Sequence, residues 1–587
     1  MRMFQGVQCV LGLFILAGCT TPPPSIEYTE RRAAEVERVV AAKSYSDFLR
    51  GRYAALTNDP VRATEAYTDA ASNNPNNADI LERAVFSSLI SGDTVNAIEL
   101  SRKARPATVA VSDLPKLVLG IDEINRRRGV EKAAAYFDAP MTSQFNAMVA
   151  QSLLTWARYE LGGRAEAEEV FASTASKDAL ISGLQNANLA LVLISDGADE
   201  DALALLTDVW DSGIRLAIAA EYQAHILHQT GRTEEAIALL DDFVWNVGQN
   251  AAIEHLRDQL VAGEELSIPR PSLSEGSALA VYIPAAALAA RTGNDLASVY
   301  FALSLQLNPD LDIARTLWAD ALDKADRRAD AIAVLQTVPE TSVFYATARG
   351  QLAWALRREG RNDDAIMIAK TALAAQPERN LKVQLGDLFR SLDRDAEAES
   401  IFSQIIDGDA KRGISDWRLL YARGAARETL GNWEDAEKDL VAALELAPNQ
   451  PSLMNYLGYS WVDRGENMEE GFDLIQRAVE LRPYAGYIVD SLGWAYFRLG
   501  QYDKAVEHLE RAVELEPGEA VLNDHLGDAY WRVGRHLEAT FQWSRALQLD
   551  PESQETELLH AKLENGLDST AATVAANNAL IESPVSP

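Results

Sequence analysis

Apolar and polar positions follow helical spacing through most of this chain, and residues 486–500, GYIVDSLGWAYFRLG, show the pattern at its sharpest. Tyr487, Leu492, Trp494, Tyr496, Phe497 and Leu499 stand beside the small residues Ser491 and Gly493, which predicts one helix ending at Gly500. The following QYDKAVEHLERAVELEP predicts a second amphipathic helix with Ala505, Leu509 and Ala512 in register. It stops at Pro517, because proline cannot continue a helix. The two helices form one unit, and the unit recurs.

In the C-terminal part Gly424, Gly458, Gly493 and Gly527 return at intervals of 34, 35 and 34, and Pro448, Pro483, Pro517 and Pro551 at 35, 34 and 34. Between them stand Ala436, Gly471, Ala505 and Ala539, then Ala443, Ala478, Ala512 and Ala546, with turn glycines at Gly431, Gly465, Gly500 and Gly534. A small residue where two helices cross lets their axes approach. A glycine inside a helix costs about 1 kcal/mol against alanine, so Gly493 must be offset by packing.

The same pattern runs through the N-terminal half in weaker form. Gly51, Ala63, Ala70 and Pro75 match the spacing of Gly493, Ala505, Ala512 and Pro517, which sets a first unit over 44–77. A turn glycine five residues before an alanine then marks Gly92/Ala97, Gly129/Ala134, Gly162/Ala167, Gly197/Ala202 and Gly231/Ala236. Six units fill the chain to about Trp245. The phase breaks at 268–277, where IPRPS cannot be helical and a hinge is expected. It resumes through Ala297, Pro309, Ala331, Gly360, Ala365, Ala372, Pro377, Gly386 and Ala398. About fourteen units result. Their landmarks resemble the tetratricopeptide repeat (TPR), two antiparallel helices in 34 residues.

At 587 residues with 48% hydrophobic composition the chain has ample material for several domains or an extended array. Acidic residues number 87 against 54 basic, a net charge of -33, which opposes nucleic acid and anionic membrane faces by long-range repulsion. The two cysteines, Cys9 and Cys19, both lie near the N-terminus, so the remainder has no cysteine for a disulfide or a metal. Residues 1–18 have the form of a signal peptide, with Arg2 ahead of the apolar VLGLFILAG, too short for a comfortable span.

The run Leu16-Ala17-Gly18-Cys19 resembles the bacterial lipobox, which implies lipidation at Cys19 and a membrane anchor. Thr20 in place of an aspartate implies, by the enteric sorting rule, the outer membrane facing the periplasm. Residues 19–43 then read as a Pro-rich tether, TTPPPS, with a lead-in helix. Further along, 44–267 is a degenerate N-terminal TPR array, 268–277 the linker, 278–553 the C-terminal array, 554–567 a capping helix and 568–587 a mobile tail.

No HExxH, GxSxG, GxxxxGK[ST] or GxGxxG pattern occurs. His225 and His228 share a helix face near Glu221, a conceivable metal site, but partly exposed helical histidines are the better account of the spacing. No catalytic residue, metal site or cofactor is expected, which leaves recognition.

In TPR proteins the second, fifth, ninth, twelfth and thirteenth positions tend to face the groove. By that resemblance the protein-binding residues are Asn455, Tyr459, Val462 and Asp463, then Tyr487, Asp490, Trp494, Phe497 and Arg498, then Asp524, Asp528, Trp531 and Arg532. They make an aromatic stripe edged with Asp and Arg, residue types that anchor interfaces, although the aromatics equally suit the core between neighbouring helices. Asn455, Asp490 and Asp524 hold the fifth positions, and the two aspartates would repel a terminal carboxylate, unlike the chaperone-binding TPR clamp.

Residues 417–553 also resemble large bacterial TPR lipoproteins, whose last repeats carry LGYxxxDxG, DSLGWxxYRxG and HLGDxxW. Here these stretches read LGYSWVDRG, DSLGWAYFRLG and HLGDAYW, with Phe497 departing from the pattern's Tyr. The group includes an outer-membrane adaptor of a periplasmic carboxyl-terminal-processing protease. The resemblance therefore implies an all-α TPR solenoid, a superhelix in two segments, acting as a non-enzymatic scaffold or adaptor that presents protein partners, such as a periplasmic protease and its substrates. The alternative is a structural or assembly factor for an envelope secretion, pilus or polysaccharide-export machine.

Overall fold

The computed structural model describes residues 26–292, 295–551 and 556–567. The expected signal peptide, Cys19, the Pro-rich run and the 568–587 tail lie outside the described residues. Among the described residues there are 31 α-helices and no strand. Most follow one another as helix–turn–helix pairs, the all-α TPR solenoid architecture that the repeat spacing predicts.

The spacing residues do the work expected of them. Gly500 ends its helix at φ +75°, a left-handed conformation that other residues adopt only under strain. A Cβ at Gly458 would sit 2.7 Å from the carbonyl oxygen of Gly471, and one at Gly493 would sit 2.6 Å from Leu509 Cγ. Each glycine thus brings the two helices of its pair together. Ala436, Ala505 and Ala539 on the second helices are fully buried. Replacing Ala505 with leucine should overpack this crossing and cost about 1–3 kcal/mol in thermal unfolding; an unchanged transition would refute the register.

The chain divides into two compact units at Ala355/Leu356. The 268–277 stretch, expected as a linker, lies within the first of these units, where side-chain contacts hold it. Residues 264–272 are indeed helix-free. Arg270, however, donates to the Ile194 carbonyl and binds both carboxylate oxygens of Asp199, while Ser195 Oγ donates to the Pro271 carbonyl at 2.7 Å. Ser272 and Glu275 then form the first turn of helix Leu273–Thr292.

In the first unit six pairs run from Ile26–Leu56 with Pro60–Asn73 to Ala217–Gln229 with Thr233–Asn246. Helices Leu273–Thr292 and Asp295–Leu307 then pack back on the first helices of that array, among them Ala78–Ile90, Asp113–Ile124 and Gln144–Gly162. Gly276 lies against the buried Trp156 ring, and Tyr300 Oη donates to Asn146 Oδ1 at 2.6 Å. Further ties join Arg327 to the Ile90 carbonyl at 3.0 Å and Asn58 to the Ala325 carbonyl at 2.6 Å. The face that a repeat array would offer to a partner is filled here by the chain itself. Helix Ala179–Asp196 is long and apolar enough to cross a membrane, but residues 189–194 are all buried in this core.

The second unit stacks its pairs from Arg379–Arg390 with Asp395–Ala410 to Ala520–Arg532 with His536–Leu549, and the last helix among the described residues is Thr556–Asn565. Its core is a ladder of Ala, Leu and Ile with Trp543 fully enclosed near the end.

Candidate protein-docking site

All thirteen predicted protein-binding residues lie on three first helices of the second unit: Pro451–Arg464, Gly486–Arg498 and Ala520–Arg532. Their spacing puts them on one side of each helix, but they do not form one open wall. Asn455, Asp490, Asp524 and Asp528 are buried, the last three at 4%, 7% and 5% exposure. This corrects the reading of the acidic edge as an accessible lining. The physical reason is that a bare carboxylate cannot be buried without a partner, and here the following helix supplies a cation.

Asp490 Oδ2 lies 2.9 Å from His525 Nδ1. Burial alone would push His525 down, but the carboxylates of Asp490, Asp524 and Asp528 outweigh it and hold the imidazole up at about 9. The Trp494 ring stacks on His525 with centroids 4.1 Å apart and on Phe497 at 4.8 Å. Trp494 Nε1 donates to Asp463 Oδ1 at 3.2 Å, and Arg498 Nη1 donates to the same oxygen at 2.8 Å. Trp494 and Phe497 are therefore half-buried seams between successive repeats, intermediate between the wall and the core readings.

One helix further, Lys562 of the terminal helix enters between Asp524 and Asp528. Its Nζ donates to Asp524 Oδ1 and Oδ2 at 2.7 and 2.9 Å and to Asp528 Oδ2 at 3.0 Å. Trp543 Nε1 donates to Asp528 Oδ1 at 2.9 Å. The two carboxylates hold Lys562 above the usual lysine range against the opposing effect of burial, while burial and its neighbour Asp524 push Asp528 up to about 6. Gly566 closes over the Trp531 ring, so Trp531 too is half covered by the terminal helix.

What stays open is a band beside these closed contacts. Tyr487 is 40% exposed, with its hydroxyl 3.3 Å from Ser452 Oγ; Arg498 and Arg532 are exposed, and Tyr459 and Phe497 are half-buried. Asp490 Oδ1 and Asn455 Oδ1 are buried acceptors without a hydrogen-bond partner. Two residues that close the site, His525 and Lys562, escaped the groove positions. Their signals were the histidine directly after a fifth-position acid and a lone lysine between Leu559 and Leu563 on an apolar helix face.

The candidate metal pair does not assemble. Burial pushes His225 down to about 4, His228 Nδ1 is 2.9 Å from Thr233 Oγ1, and no group of three metal-ligating side chains occurs among the described residues.

Comparison with known proteins places the repeats. Tetratricopeptide repeat family models match residues 350–412, 421–486 and 491–519. A TPR repeat-containing protein of Pseudomonas aeruginosa is 30% identical over 154 residues, 26% of each chain, and the BBSome complex member BBS4 of Bos taurus is 26% identical over 155 residues, 26% of this chain and 28% of that one. The chain thus spans about a quarter of the length of these curated relatives. Among solved structures, the APC/C hetero-tetramer Cut9–Hcn1 is 12% identical with a TM-score of 0.37, covering 89% of this chain and 96% of that one. A tetratricopeptide repeat protein from Parabacteroides merdae is 16% identical with a TM-score of 0.36, covering 42% and 94%. In its matched stretches, all but the first few residues of which lie in the second compact unit, this chain carries tetratricopeptide repeats.

Proposed function

We propose that this chain is a non-enzymatic scaffold of the bacterial envelope that presents protein partners on the open band of its C-terminal repeats, in the manner of an adaptor bringing substrates to a periplasmic protease. The observation that carries the docking role is the open band itself: exposed Tyr487 and Arg498 beside half-buried aromatics, the residue types in which interface energy concentrates. The self-filled first unit supports it by leaving the second as the face for partners. Lipidation at Cys19 rests on the LAGC run, an outer-membrane location on Thr20 after it, and the adaptor role on the lipoprotein resemblance of residues 417–553.

Pull-down from crosslinked envelopes tests the role. Recovery of a protease together with its substrates supports the adaptor, and recovery of secretion or export subunits instead overturns it in favour of an assembly factor. Tyr487→Ala should lower partner recovery by about tenfold, equivalent to about 1.4 kcal/mol, while unfolding stays unchanged, since it trims an exposed ring. Undiminished recovery would remove Tyr487 from the site. Cys19→Ser should move the protein from the membrane to the soluble fraction, and continued membrane association would contradict lipidation.

A further inference from the structure

The end of the C-terminal stack follows a rule set one step earlier. On helix Gly486–Arg498 the fifth-position acid Asp490 is closed by a cation from the next first helix, His525, 35 positions on. On helix Ala520–Arg532 the fifth-position acid Asp524 is closed by Lys562, 38 positions on, which is borne by the last helix among the described residues. Thr556–Asn565 thus stands where the first helix of one more repeat would stand.

We infer that this end of the stack is a lysine-reading docking site, and that the chain's own terminal helix is an exchangeable occupant whose place a partner's lysine-bearing amphipathic helix takes. The inference rests on the protein-binding reading above and names the partner chemistry.

The acid pair determines what can occupy the site. Asp524 and Asp528 are both buried, and a pair of enclosed carboxylates left without a cation is strongly destabilising, so no helix lacking a cation at the Lys562 position substitutes. Lys562, itself 4% exposed, satisfies three carboxylate contacts. The remaining contacts are generic: Leu559 is buried, Leu563 and Leu567 pack on the same cluster, and Gly566 meets Trp531. The recognised pattern is therefore apolar-x-x-Lys-apolar on one helix face, as in Leu559, Lys562 and Leu563.

Exchange is favoured by the size of the occupant. Ten residues are too few for a helix to be stable by itself, so the terminal helix exists by virtue of this contact. Replacing one lysine helix with another keeps the buried charges balanced, and the exchange carries no new charge-burial penalty. The net charge of -33 further attracts a basic segment.

The test uses the full chain and a synthetic peptide copying residues 556–567, TELLHAKLENGL, with a second peptide carrying norleucine for the lysine. Lys562→Gln vacates the acid pair, and Leu559→Ser loosens the resident helix at an apolar contact while leaving the pair intact. By calorimetry the lysine peptide should bind at least one of the two variants about tenfold or more tighter than it binds the unaltered chain, and the norleucine peptide should bind that variant about tenfold more weakly. Retention of the Trp543 indole N–H resonance shows that the last pair stays folded. Failure of both folded variants to take up the lysine peptide, or equal uptake of the two peptides, overturns the inference. The peptide assay is independent of envelope pull-down: recovery of partners without peptide uptake removes only the lysine site, and uptake without recovery removes only the envelope role.

Discussion

Asp113→Ala should destabilise the first unit by about 3–5 kcal/mol, a large part of the roughly 5–15 kcal/mol available to a domain. Asp113 is 3% exposed and accepts the backbone N–H of Ser143 at 2.8 Å, the N–H and hydroxyl of Thr142 at 2.9 Å, and Asn146 Nδ2 at 3.2 Å. Burial raises its carboxyl, but the Ser143 and Thr142 amides and the side chains of Asn146 and Thr142 outweigh burial and hold it below the usual aspartate range. Lys116 Nζ lies 3.7 Å away and is equally enclosed. Removing the carboxylate strands Lys116 as an uncompensated charge, unpairs buried amides and frees Asn146, the acceptor for Tyr300. The measurement is urea unfolding monitored at the tyrosines and tryptophans, compared with Asp113→Asn, which should lose less. A loss below 1 kcal/mol for the alanine variant would show that this cluster does not hold the returning helix.

The second large effect is a pH dependence at the end of the C-terminal stack. His525 is held at about 9 in the folded chain against 6.5 when free. A raised folded value means that its stabilisation is complete below pH 6.5, shrinks as pH rises and is gone above pH 9. That is on the order of 3 kcal/mol across this window. The groups facing it point the same way. Asp528, raised to about 6, loses its contribution between about pH 4 and 6, and Lys562, raised above 10.5, loses its own only above that value. Hydrogen exchange in helices Ala520–Arg532 and Thr556–Asn565 should therefore quicken, after correction for intrinsic rates, between pH 6.5 and 9. His525→Gln should flatten the change. An equal slope in the variant would assign the effect elsewhere.

Much of the fold could be read from the sequence because its spacing residues answer strictly local demands. Gly500 must adopt a positive φ, Gly458 must let a backbone carbonyl approach, and Ala505 must fit a crossing. None of these depends on a distant residue. The unit boundary depends on tertiary packing, and the signal that bears on it is different: residues 278–283 are apolar on every side, the mark of a helix enclosed by others and not of another amphipathic repeat.

For the candidate site, position along the helix was legible and exposure was not. Whether Asp490 or Asp524 faces solvent is decided by the element that follows, through His525 and Lys562, and the spacing within one repeat says nothing about that. Trp494 could likewise be placed on the right face. That its indole is committed to Asp463 follows only from the stagger of two neighbouring helices.

The return of helices Leu273–Thr292 and Asp295–Leu307 onto the first array bears on how fast the first unit folds. An open repeat array can zip up from any point through nearest-neighbour contacts. Here Asn58 finds its acceptor 267 positions later, Ile90 its donor 237 later and Asn146 its partner 154 later. Loops of that length slow closure. Until Val281, Tyr300 and Phe301 are in place, the early pairs present the apolar surface that these residues cover.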